Sequence, residues 1–222
     1  MQLGAGDDTA PQRLTVADGA VTVAGPRGFC IDEEASPDAA GGGLVVLAAC
    51  RSLGAPALLP VTPRLLTASV AASGSALEMD DMAGALRAFF ESDAGRGALS
   101  RSGRAQDVTL LEAEASGGAF VMRVSDAGPF PGGSVARRYW RAIFLAGGRF
   151  VTLSVYDLPP RGLDLQADGP ARLPDAAAAR RVLDSFIAAT RRASAPLVVP
   201  AAAAVTAAWP DTGRGRRARP RG

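Results

Sequence analysis

The chain has no lysine, no histidine and no asparagine. Without histidine, no Ser-His-Asp or Cys-His pair can activate a nucleophile within the chain. Histidine-ligated zinc is excluded as well, and two cysteines alone cannot make a four-cysteine site. Without lysine there is no P-loop of the usual kind, no Schiff base and no Ser-Lys pair. Carboxylates, a lone thiol, or a hard metal on oxygen ligands are what remain for chemistry. All 24 basic residues are arginine. We read this as a coding bias that also enriches Ala, Gly and Pro, so an arginine here is not by itself evidence that its forked guanidinium was needed.

Long apolar runs are missing too. No stretch reaches about 18 apolar residues, so no segment reads as a membrane-spanning helix. The opening MQLGAGDDTAPQR lacks the basic end and apolar run of a signal peptide. Taken literally, that start predicts a cytoplasmic protein. The net charge is only +2, and five arginines crowd the closing GRGRRARPRG. The body before it is near neutral and carries no electrostatic footprint for nucleic acid.

What is present suits one domain with tails: 222 residues, 48% apolar and 21% charged. The stretch YWRAIFLAGGRFVTLSVYD, residues 139–157, organises the reading. Gly147-Gly148 tolerates the positive φ of a two-residue hairpin turn. That turn sets Phe144 opposite Val151, Ala142 opposite Leu153 and Trp140 opposite Val155, an apolar face. The other face pairs Leu145 with Phe150, Ile143 with Thr152, Arg141 with Ser154 and Tyr139 with Tyr156, and is mixed. A sheet packed on a helix has this pattern.

The same logic reads the rest of the chain. Residues 1–12 are expected to be a disordered leader. RLTVADGAVTV predicts a hairpin turning at Asp18-Gly19, with Leu14 opposite Val23 and Val16 opposite Val21. GPRGFCIDEEASPDAAGGG reads as a surface loop. LVVLAAC, residues 44–50, reads as a strand covered on both faces, and LLTASV, residues 65–70, as another strand. A helix over residues 76–92 is predicted by a Ser75/Glu78 capping box and a stripe of Met79, Met82, Ala83, Leu86, Phe89 and Phe90. GRGALSRSGR ends it. DVTLLEA and AFVMRV form a hairpin about Gly117-Gly118, with Phe120, Met122 and Val124 on one side. The last helix begins at Pro174. Asp175 falls in its first turn and Arg191-Arg192 in its last. Ala179, Val182, Leu183, Phe186, Ile187 and Thr190 are its buried stripe. Residues 194–222 are expected to be a disordered Pro/Ala/Arg-rich tail. The order predicts a single α+β domain over residues 13–193, a largely antiparallel sheet packed with two main helices on one face or on both.

Cys30 and Cys50 are the sharpest local feature. Bonded, they would close a loop of about 20 residues, worth roughly 3 kcal/mol in the chain-entropy model, and would imply an oxidising compartment. Two buried free thiols, or one reactive thiol, are the alternatives. The disulfide reading carries the expectation that Met1 lies downstream of a signal sequence or lipoprotein leader, in a periplasmic or envelope protein.

Other candidates are weaker. Asp32, Glu33 and Glu34 read as a solvated loop rather than half of a metal or acid/base site. Asp80-Asp81 suit a helix's first turns. In RRYWR, residues 137–141, the register buries Trp140 and leaves Tyr139 and Arg141 on the mixed face. RRYWR could stack a base or a sugar, but an edge or rim role suits the register better, and Tyr139, Arg141 and Tyr156 are the candidate surface contacts. GGSVA, residues 132–136, is an incomplete nucleophile elbow in a chain without histidine. Asp157, Asp164 and Asp168 lack EF-hand spacing. The arginine tail offers at most weak contact with an anionic surface. No catalytic, cofactor-binding or metal residue is assigned.

The segment order over residues 13–193, with its closing helix VLDSFIAAT at 182–190, resembles the PsbP-like α/β/α domains. Those pack a curved antiparallel sheet between helices. The chain is also similar to uncharacterised exported alphaproteobacterial proteins with a GFCID string, here residues 28–32, and a second cysteine ending a strand, here Cys50. The resemblance implies an exported, non-enzymatic module that binds a partner protein or an apolar ligand. The competing expectations are an enzyme using carboxylates or a metal, and a cytosolic protein acting through its basic tail.

Overall fold

The computed structural model describes residues 10–36, 43–54, 63–74, 79–129, 135–158 and 175–195. Within them lie, in order, β1 (Arg13–Val16), β2 (Val21–Ala24), β3 (Phe29–Asp32), β4 (Gly43–Ala49), β5 (Arg64–Gly74), α1 (Met79–Glu91), α2 (Asp93–Leu99), β6 (Val108–Ser116), β7 (Ala119–Asp126), β8 (Arg138–Ala146), β9 (Arg149–Asp157) and α3 (Ala176–Ser194).

The β8–β9 hairpin turns at Gly147 and Gly148, with φ of +56° and +69°. These are the positive values a two-residue turn requires. The expected register holds at every pair, from Tyr139↔Tyr156 to Leu145↔Phe150. Trp140, Ala142, Phe144, Val151, Leu153 and Val155 share one core with Leu183, Phe186 and Ile187 of α3. Gly117 and Gly118 repeat the turn between β6 and β7. Seven strands make the main sheet, in the order β3-β4-β5-β9-β8-β7-β6, with each neighbour antiparallel. The fold is α+β.

The helices divide between the two faces. On one, α3 packs with the β1–β2 hairpin, which is a separate two-stranded sheet in its expected register. On the other, Phe90 of α1 and Leu99 of α2 join Phe120, Met122 and Val124 in a second core. Asp175 is the N-cap of α3 rather than a first-turn residue; its carboxylate accepts from the amides of Ala177 and Ala178 at 3.0 and 3.1 Å. The α3 stripe is buried at Ala179, Leu183, Phe186, Ile187 and Thr190, with Val182 half-buried beside it. Further along, the β2 amides of Ala24 and Thr22 donate to the hydroxyls of Thr190 and Ser194. Arg191 lies 4.8 Å over the Phe144 ring and donates to the carbonyls of Gly117 and Gly118, at 2.6 Å each. One helix thus ties together the first hairpin, the central ribbon and the turn of a third hairpin.

Several expectations are corrected. Phe29–Asp32 is a strand, not loop, because it pairs with β4. That strand, β4, is not covered on both faces: Val45 and Leu47 are buried, while Leu44 on the other side is 45% exposed. Phe89 is also 45% exposed, since α1 turns Phe90 to the sheet. After α1 the chain forms α2 rather than ending, with Ser92 as its N-cap. Its Gly95 is required, because a Cβ there would overlap the backbone of Phe89. The expected leader is shorter than 12 residues: the carbonyls of Pro11 and Gln12 accept from the amides of Ile31 and Gly25, at 2.7 and 2.9 Å. Residues 1–9, Ser75, Glu78, Pro174 and the tail beyond 195 lie outside the described residues, as do the side chains of Met79, Asp80 and Asp81.

Gly147 also sits against the carbonyl of Ala20, which a Cβ would overlap, whereas the space at Gly148 is open. Gly148→Ala should therefore cost only the left-handed penalty, about 1 kcal/mol. Gly147→Ala should cost at least about 2 kcal/mol, because it adds overpacking against the first hairpin. Urea denaturation of the two variants measures the difference.

Candidate functional site

The end of the ribbon nearest Tyr139 carries polar groups on both faces. On the α1–α2 face, the two tyrosines expected at the surface are buried, Tyr139 at 3% and Tyr156 at 7% exposure. Alternation placed them on the mixed face correctly, but that face is covered here. Their rings lie 4.8 Å apart. Arg101, just beyond α2, brings its guanidinium to 5.9 Å from each ring and donates to the Ala136 carbonyl at 3.1 Å. Tyr139 donates its hydroxyl to the Leu99 carbonyl at 3.2 Å. Burial pushes the Tyr139 phenol up to about 12, partly opposed by Arg141. It is a neutral hydrogen-bond donor, not a base.

Asp126, fully buried, organises this end. One carboxylate oxygen accepts from the Gly128 amide at 2.7 Å. The other accepts from the Arg101 amide at 2.9 Å and faces its Nε at 3.4 Å.

Arg141, the third candidate contact, is half-buried. Its Nε donates to Ser154 Oγ at 2.9 Å and its Nη2 to the Tyr156 hydroxyl at 3.2 Å. Its guanidinium lies 5.1 Å over the Tyr139 ring. Burial pulls its pKa down, but Tyr139, Tyr156 and Asp126 reverse the shift, so the net direction is upward.

On the α3 face a small cleft is lined by Arg123, Arg138, Trp140, Asp157, Ala176 and Ala179, with a volume of about 30 Å³. That is room for roughly two waters. The Trp140 indole N–H donates to the Ala176 carbonyl at 2.9 Å, so the first turn of α3 sits on the ribbon. Arg180 and Arg123 flank the indole at 5.1 and 5.9 Å. Asp157 is held by Arg64 Nε at 2.7 Å; both side chains are at least nine-tenths buried. Burial raises the Asp157 pKa, and Arg64 only partly offsets it. Among the described residues Asp157 is the one carboxylate that lines the cleft.

Cys30 and Cys50 are joined by a disulfide, their Cα atoms 4.8 Å apart. Cys30 lies within β3, and Cys50 opens a 3-10 turn, Cys50–Leu53, directly after β4. Asp32 accepts from the Ala35 amide at 3.1 Å and shapes the following turn, while Glu33 and Glu34 are exposed. Among the described residues no three His, Cys, Asp or Glu side chains gather to hold a metal. Residues 132–134 of the GGSVA string, Asp164, Asp168 and the arginine tail lie outside the described residues.

Sequence reasoning missed Arg64, Arg101, Asp126 and Asp157 as partners. One signal existed for the Arg64–Asp157 pair: the two residues are directly opposite in the β5–β9 register. Finding it requires pairing strands far apart in the chain. No protein-family model and no curated protein matches the chain.

Arg64→Met should expose the logic of the buried pair. Removing the partner of a buried charge costs about 3–5 kcal/mol. An acid whose folded pKa lies above its unfolded value lowers stability as pH rises between the two. Loss of Arg64 raises the folded value of Asp157 further. The destabilisation should therefore be greater at pH 7 than at pH 4 in thermal melts; equal losses would contradict this account.

Proposed function

We propose that this chain is a non-catalytic binding or accessory domain of the cell envelope. The observation that carries the reading is the Cys30–Cys50 disulfide, since such bonds persist in oxidising compartments and are rare in the cytosol. Among the described residues no helix is long and apolar enough to cross a membrane. Helices on both faces of an antiparallel sheet support the likeness to PsbP-like domains.

The enzymatic reading has one observation in its favour, the raised carboxyl of Asp157 in the α3-face cleft. General acid–base work on a substrate usually divides between two groups of separated pKa. No second carboxylate lines that cleft among the described residues, and its volume of about 30 Å³ is small for a substrate. The binding reading is the better supported.

In protein freshly isolated from its source cells, neither cysteine should react with a maleimide until a reductant is added. Two reactive thiols in a cytosolic fraction would reverse the reading. Replacing both cysteines with serine should lower stability by roughly 3 kcal/mol, read as a lower urea midpoint.

A further inference from the structure

We propose that the Arg141 face of the β8–β9 ribbon binds a fatty carboxylate, with the carboxylate on the Arg141 guanidinium and the hydrocarbon chain along the ribbon. The inference rests on the binding-domain reading above and names its ligand.

The arginines differ in how their charge is compensated. Arg64, Arg101, Arg123 and Arg180 each lie beside a carboxylate: Asp157, Asp126, Glu112 and Glu114 respectively. Arg141 is half-buried like several of these, yet its partners are two hydroxyls and a ring face. Among the described residues no carboxylate lies within 4.0 Å of it. The two hydrogen bonds use Nε and Nη2, and Nη1 donates to no described residue. A guanidinium offers its donors as a planar fork matched to a carboxylate. One half-buried cation without an anion is a charge that a monoanion would complete.

Along β8 the neighbours of Arg141 are apolar and border the second core, while Ser154, Thr152, Thr67 and Ser69 form a polar row beside them. Ile143 and Leu145 follow Arg141 on the same face of β8, Phe150 lies beside Leu145 on β9, and all three are half-buried. From Arg141 to Leu145 the strand rises about 14 Å, which suits a medium-length alkyl chain. Leu44 and Val46 of β4 extend the same face beyond Thr67 and Ser69. On this face the packing of α1 and α2 centres on β6 and β7. The other half of the sheet carries no described helix there, and Leu44 is 45% exposed. A single guanidinium heading a half-exposed apolar strip fits one carboxylate and one chain better than a phosphodiester backbone, which needs a row of cations.

Calorimetric titration of the full oxidised chain with decanoate and with decan-1-ol tests this. Decanoate should bind, and decan-1-ol should bind at least about tenfold more weakly, as loss of a charge-assisted hydrogen bond implies. Arg141→Gln, checked for its fold by circular dichroism, should weaken decanoate by a similar factor and leave decan-1-ol unchanged. The wild-type comparison of acid with alcohol holds even if that variant does not fold. Equal binding of the two probes, no binding of decanoate, or a dimer that buries this face and excludes decanoate would each overturn the proposal. Those results would leave the compartment assignment standing, whereas reactive cytosolic thiols would remove the compartment and leave the decanoate result intact.

Discussion

Sliding β9 by one residue against β8 would turn every side chain of β9 to the opposite face. Val151, Leu153 and Val155 would leave α3, and Ser154 and Tyr156 would enter that core. The glycine turn prevents this, because its two positive φ values set the loop at two residues. The neighbouring strands inherit the register. β7 reads it from β8, through pairs such as Val121↔Ala142, and β5 reads it from β9, through Ala68↔Leu153. Even the first hairpin is located by the same turn, since the Ala20 carbonyl rests where a Cβ of Gly147 would be. The architecture is one local constraint propagated outward through pairing.

What could be read from the sequence follows from that locality. Two hairpin registers, the turn of a third and the stripe of α3 each depend on a turn or a period within about 20 residues, and alternation or 3.6-residue spacing exposes them. The parts that escaped depend on distant partners. The strand Phe29–Asp32 has only four residues between turns, and its reason to be extended is β4. Two glycines hide α2, although close approach to Phe89 demands one of them. Alternation divides a strand into two faces without saying what covers each. The burial of Tyr139 and Tyr156 by Arg101 and its loop was therefore beyond sequence reasoning, and so was the facing of Arg64 and Asp157.

Composition adds a constraint of its own. When arginine is the only cation, each buried positive charge brings a five-donor fork that must be satisfied. The fold does this in three ways. Carboxylates stand beside Arg64 and Arg101, backbone carbonyls of a tight turn receive Arg191, and ring faces accept Arg123 and Arg180 over Trp140. A coding bias makes the presence of an arginine uninformative. Its choice of partners remains informative, because desolvation acts on the side chain whatever put it there. Arg141 and Arg191 both lack a described carboxylate in contact, but Arg191 donates to two turn carbonyls whereas Arg141 donates to two hydroxyls.

The ties holding the chain together differ in reach. The bonds between Thr22 and Ser194 span 172 positions, and they hold the first hairpin only while α3 is docked. The disulfide spans 20 and secures the β3–β4 edge of the sheet. There β3 is a four-residue edge strand, paired with β4 on one side and touched by the Pro11 carbonyl on the other. Phe29 and Ile31 bury their side chains in the main core, but so short a strand adds little area of its own. The covalent bond thus lies where noncovalent pairing is thinnest. Reduction would remove constraint from the region least able to compensate, so the redox state of the compartment bears directly on whether this edge stays folded.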